Sequence, residues 1–174
     1  MWKPAKSPSP YITETATKIF PDVDAALDQS DKNPVYKIQY AHARMCSIFA
    51  KAGIEAESIE AGATDLSVLD HELERELVKN LGEFTETLER SARQCTPHVL
   101  CEYLEQTAGS TNGWYHAGNP TRNPELAVLA EDPEIRQARL VLARAVQIVL
   151  RNGLTVLGIS APTRMDRAIL DEEP

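Results

Sequence analysis

The length, composition and charge of the chain predict a single folded domain. It has 174 residues, of which 43% are hydrophobic and 25% are charged, an ordinary composition for a domain with one core. No apolar run approaches the roughly 20 residues of a membrane-spanning helix, and the first residues lack the apolar stretch of a signal peptide. Three cysteines without paired spacing argue against a disulfide framework, so we expect a cytoplasmic setting and no membrane partner.

The net charge limits how the chain could bind nucleic acid. It is −8, from 18 basic and 26 acidic residues. Contacts from lysine and arginine to phosphates supply most of the affinity of nucleic-acid-binding proteins, and an acidic chain repels that backbone. Any such function must therefore depend on a local basic and aromatic surface.

The composition changes along the chain and divides it into three parts. Residues 1–20 are rich in proline and serine and predict a flexible N-terminal arm. Residues 21–165 carry helical periodicity and predict one helical domain. Residues 166–174 predict an acidic C-terminal tail.

The clearest predicted element is a helix that begins at Asn33-Pro34. Asparagine is a favoured N-cap, and proline is favoured at the first helical position. Apolar residues then recur at helical spacing as far as Gly53, which predicts the end of the helix. His42 lies on this apolar stripe, so we expect a hydrogen-bonded core histidine rather than a catalytic base.

Four more helices are predicted after the first. Leucines four residues apart indicate a helix over residues 67–81, and a third stretch covers 83–94. Thr96-Pro97 begins a fourth helix that ends near residue 115, and Asp132-Pro133 begins the last, which ends near residue 157. Long strand-like alternation is absent, so the predicted fold class is all-α, a bundle of about five helices.

The first helix carries a polar stripe opposite its apolar one, with residues three and four apart: Lys37, Tyr40, Arg44, Ser47 and Lys51, with Tyr36 at the margin. Cations that meet phosphates and rings that stack on unpaired bases are typical of surfaces that bind single-stranded RNA. A basic face that is merely solvated is the alternative. Trp114-Tyr115-His116, at the end of the fourth helix, is compatible with a stacking platform or with a plug for the core.

Two segments resemble a known family. The run NPVYKIQYAHAR, from Asn33 to Arg44, resembles the NPxYxxQYAHxR run that opens the C-terminal domain of arginyl-tRNA synthetases. Residues 22–30 are similar to the acidic lead-in of that domain. Residues 138–154 and 157–165 resemble its last helix and its terminal Arg-Met. The resemblance covers residues 21–165 and is to the DALR-type anticodon-binding domain of this class I synthetase.

In that family the domain holds the tRNA anticodon stem-loop for a distant active site. The resemblance implies a tRNA-binding module with two partners, the anticodon stem-loop of an arginine tRNA and a synthetase catalytic body. Tyr40 and Arg44 match positions that touch the anticodon loop, Tyr115 matches an aromatic residue that holds bases, and Met165 matches the terminal methionine that packs there. The complete predicted site adds the neighbouring basic and aromatic residues Tyr36, Lys37, Lys51 and Trp114.

The chain departs from the family pattern in several places. Lys37 stands where the family frequently has an aromatic residue, so a phosphate contact replaces a stacking contact in this prediction. The chain also continues for nine residues beyond Arg164-Met165. The H-x-G-H signature and a K-M-S-K-like loop are absent. We therefore expect no catalysis by this chain alone and no cofactor, because ATP would bind the catalytic domain that is missing.

Other residue clusters lack the groups that metal or catalytic chemistry needs. Cys95, His98 and Cys101 have a C-x2-H-x2-C spacing, but a structural zinc site takes four ligands. We expect a helix start with two buried cysteines and no metal. The acidic residues Glu72, Glu74 and Glu76 alternate with other side chains on a helix and predict a solvated face.

Two questions stay open at the level of sequence. The chain is either an excised fragment of a synthetase or a freestanding relative. The second function considered is a protein-interaction or regulatory domain that kept the fold and lost its tRNA affinity, which the net charge of −8 and Lys37 favour. The oligomeric state is not predicted.

Overall fold

A computed structural model describes residues 33–62 and 64–165, so the predicted N-terminal arm and acidic tail lie outside the described residues. Five α-helices are present in the described ranges: α1 (Pro34–Ala52), α2 (Glu72–Gly82), α3 (Phe84–Gln94), α4 (Pro97–Ala117) and α5 (Pro133–Val156). Short 3-10 turns cover Ala56–Ser58 and Pro124–Leu126. The described residues contain no strand, which confirms the all-α prediction. No helix within these ranges has the length and apolarity to cross a membrane.

The caps of α1 and α5 explain why these helices begin where the sequence predicts. The Asn33 Oδ1 atom accepts hydrogen bonds from the backbone N–H groups of Val35 (3.0 Å) and Tyr36 (3.4 Å). Asp132 caps α5 in the same way through the N–H groups of the next helical residues. Gly53 ends α1 with a φ of 66°, a left-handed conformation that glycine adopts without steric cost.

The start of α2 was predicted too early. The helix begins at Glu72 rather than at residue 67, because His71 forms a capping box with Glu74. The His71 Nδ1 atom accepts from the Leu73 N–H, and Glu74 Oε2 accepts from the His71 N–H. Residues 65–70 form turns instead, although Leu69 is buried. The leucine spacing therefore predicted the burial of Leu69 correctly, but it predicted the wrong backbone conformation for this residue.

Helix α4 is the centre of the bundle and contacts each of the other four helices. Its buried face carries Leu100, Leu104, Ala108 and Trp114, which join residues of α1 and α5 in one core. Gly153 lets α5 approach closely, since a Cβ atom there would collide with the Leu104 side chain. Replacing this glycine would require the buried Leu104 side chain or the helices themselves to shift.

Glu74 corrects the prediction of a solvated acidic face on α2. Its side chain is 1% exposed and accepts a hydrogen bond of 2.6 Å from Arg139 Nε of α5. The Arg139 Nη1 atom also donates to the backbone carbonyls of Glu125 (2.6 Å) and Ala127 (2.9 Å). One buried arginine of α5 thus links this helix to α2 and to the loop before α5 through hydrogen bonds.

The cysteines between α3 and α4 differ from their predicted environment. Cys95 and Cys101 are exposed, not buried. Cys95 ends α3 in a left-handed conformation with a φ of 54°, the role that glycine fills at the end of α1. Within the part of the chain that the structure describes, no group of His, Cys, Asp and Glu residues is arranged to hold a metal ion.

Candidate functional site

The polar face of α1 lies beside α4, and the two helices run in the same direction. Lys37 Nζ is 3.4 Å from Glu105 Oε1, and Arg44 Nη1 is 2.6 Å from Asn112 Oδ1. Both pairs join residues 68 positions apart, so a step of two turns along α1 is matched by two turns along α4. This parallel arrangement places the predicted stripe of α1 against the C-terminal half of α4.

Three tyrosines and one arginine form a continuous stack across this pair of helices. The rings of Tyr36 and Tyr40 stack with centroids 6.1 Å apart and planes 11° apart. The Arg44 guanidinium carbon is 4.7 Å from the centroid of Tyr40 and 4.5 Å from that of Tyr115. Both distances fall within the roughly 6 Å range of cation–π attraction. We call these four residues, Tyr36, Tyr40, Arg44 and Tyr115, the tyrosine–arginine stack.

Hydrogen bonds fix the position of Arg44 in the stack. Its Nη1 atom donates to Asn112 and lies 3.4 Å from the Nε2 atom of His116, both on α4. A guanidinium group has five N–H donors, and these two contacts use one nitrogen. Arg44 therefore has further N–H donors at a surface that is flanked by aromatic rings.

The two lysines of the stripe have different surroundings. Lys37 forms an ion pair with Glu105, and both side chains are partly exposed. Lys51, two turns beyond Arg44, is exposed in the last turn of α1. Within the described residues, no carboxylate lies within ion-pair distance of Lys51. Of the two, only Lys37 is paired with a carboxylate among the residues that the structure describes.

Trp114 corrects one of the predicted site residues. Its side chain is 2% exposed and belongs to the core, whereas its neighbour Tyr115 is half-buried and faces Arg44. Adjacent residues of a helix point about 100° apart, so the two rings of this dipeptide have separate roles. Trp114 fixes α4 within the bundle and offers no face for stacking on a ligand.

The C-terminal segment of the described chain is attached to α1. Gln39 Nε2 donates to the Ser160 carbonyl at 2.8 Å, and His42 Nδ1 is 2.9 Å from the Pro162 carbonyl. His42 is 1% exposed, as predicted, and its burial lowers the pKa of the imidazole despite the hydrogen bond, which acts in the opposite direction. Met165 follows this attached segment and is half-buried.

Three residues of this surface were not among the predicted site residues: Glu105 and Asn112 of α4, and Gln39 of α1. His116 was noted only as part of the aromatic run at the end of α4. The three α4 residues lie seven and four positions apart, a helical spacing that would have placed them on one face. That spacing alone does not say which helix the face contacts. The information that was missing is the parallel packing of α1 against α4.

Comparison with known proteins identifies the family of the chain. The model of the DALR anticodon binding domain family matches residues 38–165. The chain belongs to this family. The match runs from within α1 to Met165, so it includes every residue of the tyrosine–arginine stack except Tyr36.

The chain is similar in sequence to arginine–tRNA ligases. The chain is 41% identical over 146 residues to the enzyme of Coxiella burnetii and 42% identical over 146 residues to that of Herminiimonas arsenicoxydans. These alignments cover 83% of this chain but 24% and 23% of the two enzymes. The arginyl-tRNA synthetase of Thermus thermophilus superposes with a TM-score of 0.68 at 40% identity, over 82% of this chain and 23% of that one. The chain thus spans about a quarter of the length of these relatives.

Proposed function

We propose that this DALR domain holds the anticodon stem-loop of an arginine tRNA. The observation that carries the proposal is the tyrosine–arginine stack at the surface between α1 and α4. RNA is recognised in sequence-specific complexes largely through unpaired bases, which stack on aromatic rings and on guanidinium planes. A stem-loop supplies such bases together with a phosphate backbone that a nearby cation can neutralise.

Because the molecule is acidic, binding of RNA depends on the few basic side chains at the proposed surface. The chain carries a net charge of −8, so its long-range field opposes RNA. Arg44 and Lys51 lie on the proposed surface, whereas Lys37 is partly neutralised by Glu105. We therefore expect stacking to supply much of the affinity, and a salt dependence that corresponds to a small number of phosphate contacts.

The same proposal describes the chain as a positioning module rather than a catalyst. Its relatives are named arginine–tRNA ligases, and it matches a quarter of their length. We propose that it acts with a synthetase catalytic body, in the cytoplasm, and that ATP binds that body rather than this domain. Rigid placement of a substrate contributes to catalysis at a distance because it fixes the reacting groups in a productive geometry.

One observation favours a second function, a protein-interaction domain that has lost tRNA affinity. Lys37 stands where the family frequently has an aromatic residue, and its ammonium group is paired with Glu105 instead of being available to RNA. Together with the acidic net charge, this pairing lowers the expected affinity of the surface for RNA. Binding measurements on the full chain separate the two functions.

The test is titration of a fluorescently labelled anticodon stem-loop of an arginine tRNA with the full 174-residue chain at two salt concentrations. We expect Tyr40→Ala to weaken binding by about 1–3 kcal/mol, because a stacking surface is lost. Arg44→Ala should weaken binding and reduce the salt slope by about one unit. Arg44→Lys should retain the salt slope but bind more weakly, since lysine keeps the positive charge but lacks the planar guanidinium group.

The matched control is Arg75→Ala, an exposed arginine of α2 that is paired with Asp70 and lies away from the stack. It should bind the stem-loop as the wild-type chain does. Circular dichroism of each variant checks the fold. Equal affinity of the wild-type chain for the stem-loop and for a scrambled RNA would contradict the proposal and leave the protein-interaction function.

A further inference from the structure

The ion pair between Lys37 and Glu105 lies beside the tyrosine–arginine stack and joins the first turns of α1 to the middle of α4. Lys37 directly follows Tyr36 and is about one helical turn from Tyr40. At a rise of 1.5 Å per residue, roughly 10 Å along α1 separate Lys37 from Arg44. An RNA loop that contacts Arg44 is therefore large enough to reach Lys37 as well.

The end of the Lys37 side chain lies over Gly109 of α4, one turn after Glu105. A Cβ atom at Gly109 would be 3.8 Å from Lys37 Nζ, so the ammonium group lies close to the backbone of α4. The Lys37 side chain is 26% exposed, whereas that of Glu105 is 42% exposed. The lysine is thus turned toward α4, and the carboxylate beside it is the more open of the two groups.

Glu105 offsets one of the three cations of the polar stripe. These cations are Lys37, Arg44 and Lys51, and Glu105 is the one carboxylate of the described residues within ion-pair distance of any of them. A carboxylate at such a surface also repels phosphates directly. Glu105 therefore opposes RNA in two ways, through its own charge and through its hold on Lys37.

The pair can open without disturbing the fold. Both side chains are partly exposed, and ion pairs of this kind contribute little to folding stability. An RNA phosphate offers the ammonium group an acceptor with the same sign of charge as the carboxylate. The contribution of Lys37 to RNA binding is then the difference between its contact with a phosphate and its contact with Glu105.

We propose that Glu105 limits the affinity of this surface for RNA by holding the Lys37 ammonium group, which bound RNA has to detach. The proposal rests on the proposed function, because it needs an RNA strand on the tyrosine–arginine stack. It gives Glu105 a role opposite to that of the basic residues, so that removal of its charge strengthens binding. The effect is measurable because the chain is acidic and few cations face the RNA.

Three substitutions test this role by titration of the labelled anticodon stem-loop of an arginine tRNA with the full chain at a series of salt concentrations. Glu105→Gln removes the charge and keeps the size of the side chain. Glu102→Gln is the matched control, because Glu102 is an exposed carboxylate one turn earlier on α4 that pairs with no cation of the described residues. Lys37→Gln, alone and combined with Glu105→Gln, completes a double-mutant cycle that isolates the pair.

We expect Glu105→Gln to tighten binding about fivefold at low salt, because the repulsion is removed and Lys37 becomes available to a phosphate. The salt slope should steepen by about one unit, as one more phosphate contact forms. Glu102→Gln should tighten binding by about twofold or less and leave the slope unchanged, since its effect is long-range and screened. In the Lys37→Gln chain, Glu105→Gln should have no larger effect than the control. Circular dichroism checks the fold of each variant.

The outcomes separate this role from the proposed function. Suppose that the wild-type chain binds the stem-loop, and that Glu105→Gln acts equally with and without Lys37 or matches Glu102→Gln. The role of the pair is then overturned and the proposed function stands. If only Glu105→Gln prefers the stem-loop to a scrambled RNA, the role of Glu105 is supported and the proposed function of the wild-type chain is contradicted. If neither chain shows that preference, both proposals are overturned.

Discussion

At the scale of residues, the ion pair between Glu74 and Arg139 joins α2 to α5 inside the domain. The two side chains are 1% and 5% exposed, and 2.6 Å separates Glu74 Oε1 from Arg139 Nε. Transfer of both charges from water opposes folding, and their mutual attraction with additional hydrogen bonds offsets this penalty. Removing one partner leaves the other charge buried without compensation.

Glu74→Ala should therefore lower the free energy of unfolding by about 3–5 kcal/mol. Glu89→Ala is the matched control, because Glu89 forms an exposed pair with Arg93 on α3 and such pairs contribute about 1 kcal/mol or less. Urea denaturation followed by circular dichroism measures both. Similar losses for the two variants would show that the buried pair has no special role.

Single residues also show the limit of prediction from sequence. The N-caps Asn33 and Asp132 were predicted, because each is recognised from the proline and the helical pattern that directly follow it. The burial of Glu74 was not, since its partner lies 65 residues later. Trp114 and Tyr115 are adjacent and both aromatic, and only the packing of α4 decides which ring enters the core.

At the scale of elements, α1 and the segment after α5 depend on a neutral His42. The imidazole is buried and contacts the Pro162 carbonyl, while Arg151 adds a repulsive charge nearby. Burial lowers the pKa of His42 in the folded chain below the ordinary value of 6.5 that applies to the unfolded chain. The stabilisation from the neutral ring is complete above that value and is lost as the pH falls below it.

We therefore expect the free energy of unfolding of the wild-type chain to fall between about pH 7.5 and about pH 5.5 by more than that of His42→Gln. Glutamine keeps a polar side chain but does not titrate. Urea denaturation at a series of pH values measures the difference in slope, and His98→Gln, at an exposed position, controls for general histidine effects. Parallel profiles for wild type and His42→Gln would refute this assignment.

The boundaries of the elements were predictable where local signals agree. Proline at the first helical position marked the starts of α1, α4 and α5, although Thr96 before α4 makes no capping hydrogen bond, and Gly53 marked the end of α1. The start of α2 was misplaced, because histidine is an uncommon cap and Leu69 continued the apolar spacing into a turn. All four residues of the tyrosine–arginine stack were predicted site residues, but their contact across α1 and α4 was not, because it depends on a parallel packing that no local pattern contains.

At the scale of the whole molecule, the described residues form one helical bundle around α4. Nucleotide-binding sites of the Rossmann type combine a parallel sheet, a glycine-rich turn and a helix N-terminus. The described ranges contain helices and no sheet. The family match places the chain in the anticodon-binding domain, which spans about a quarter of its arginine–tRNA ligase relatives.

A pure sample of this chain should show no arginine-dependent exchange between ATP and pyrophosphate and no aminoacylation of tRNA. The measurement is incorporation of labelled pyrophosphate into ATP, with an intact arginyl-tRNA synthetase as the positive control. Exchange that persists after further purification, in proportion to the amount of this chain, would show that the domain has catalytic machinery of its own.

The tyrosine–arginine stack has a thermodynamic consequence for any ligand that binds it. Arginine and tyrosine lose rotamer freedom when a partner holds them in one geometry, at roughly 0.5–1.5 kcal/mol for each immobilised side chain of high entropy. Here Asn112 and the flanking rings already restrict Arg44 before a ligand arrives. The side-chain entropy of Arg44 is therefore lost mainly when the domain folds and not when the ligand binds. A larger part of the contact energy then contributes to affinity.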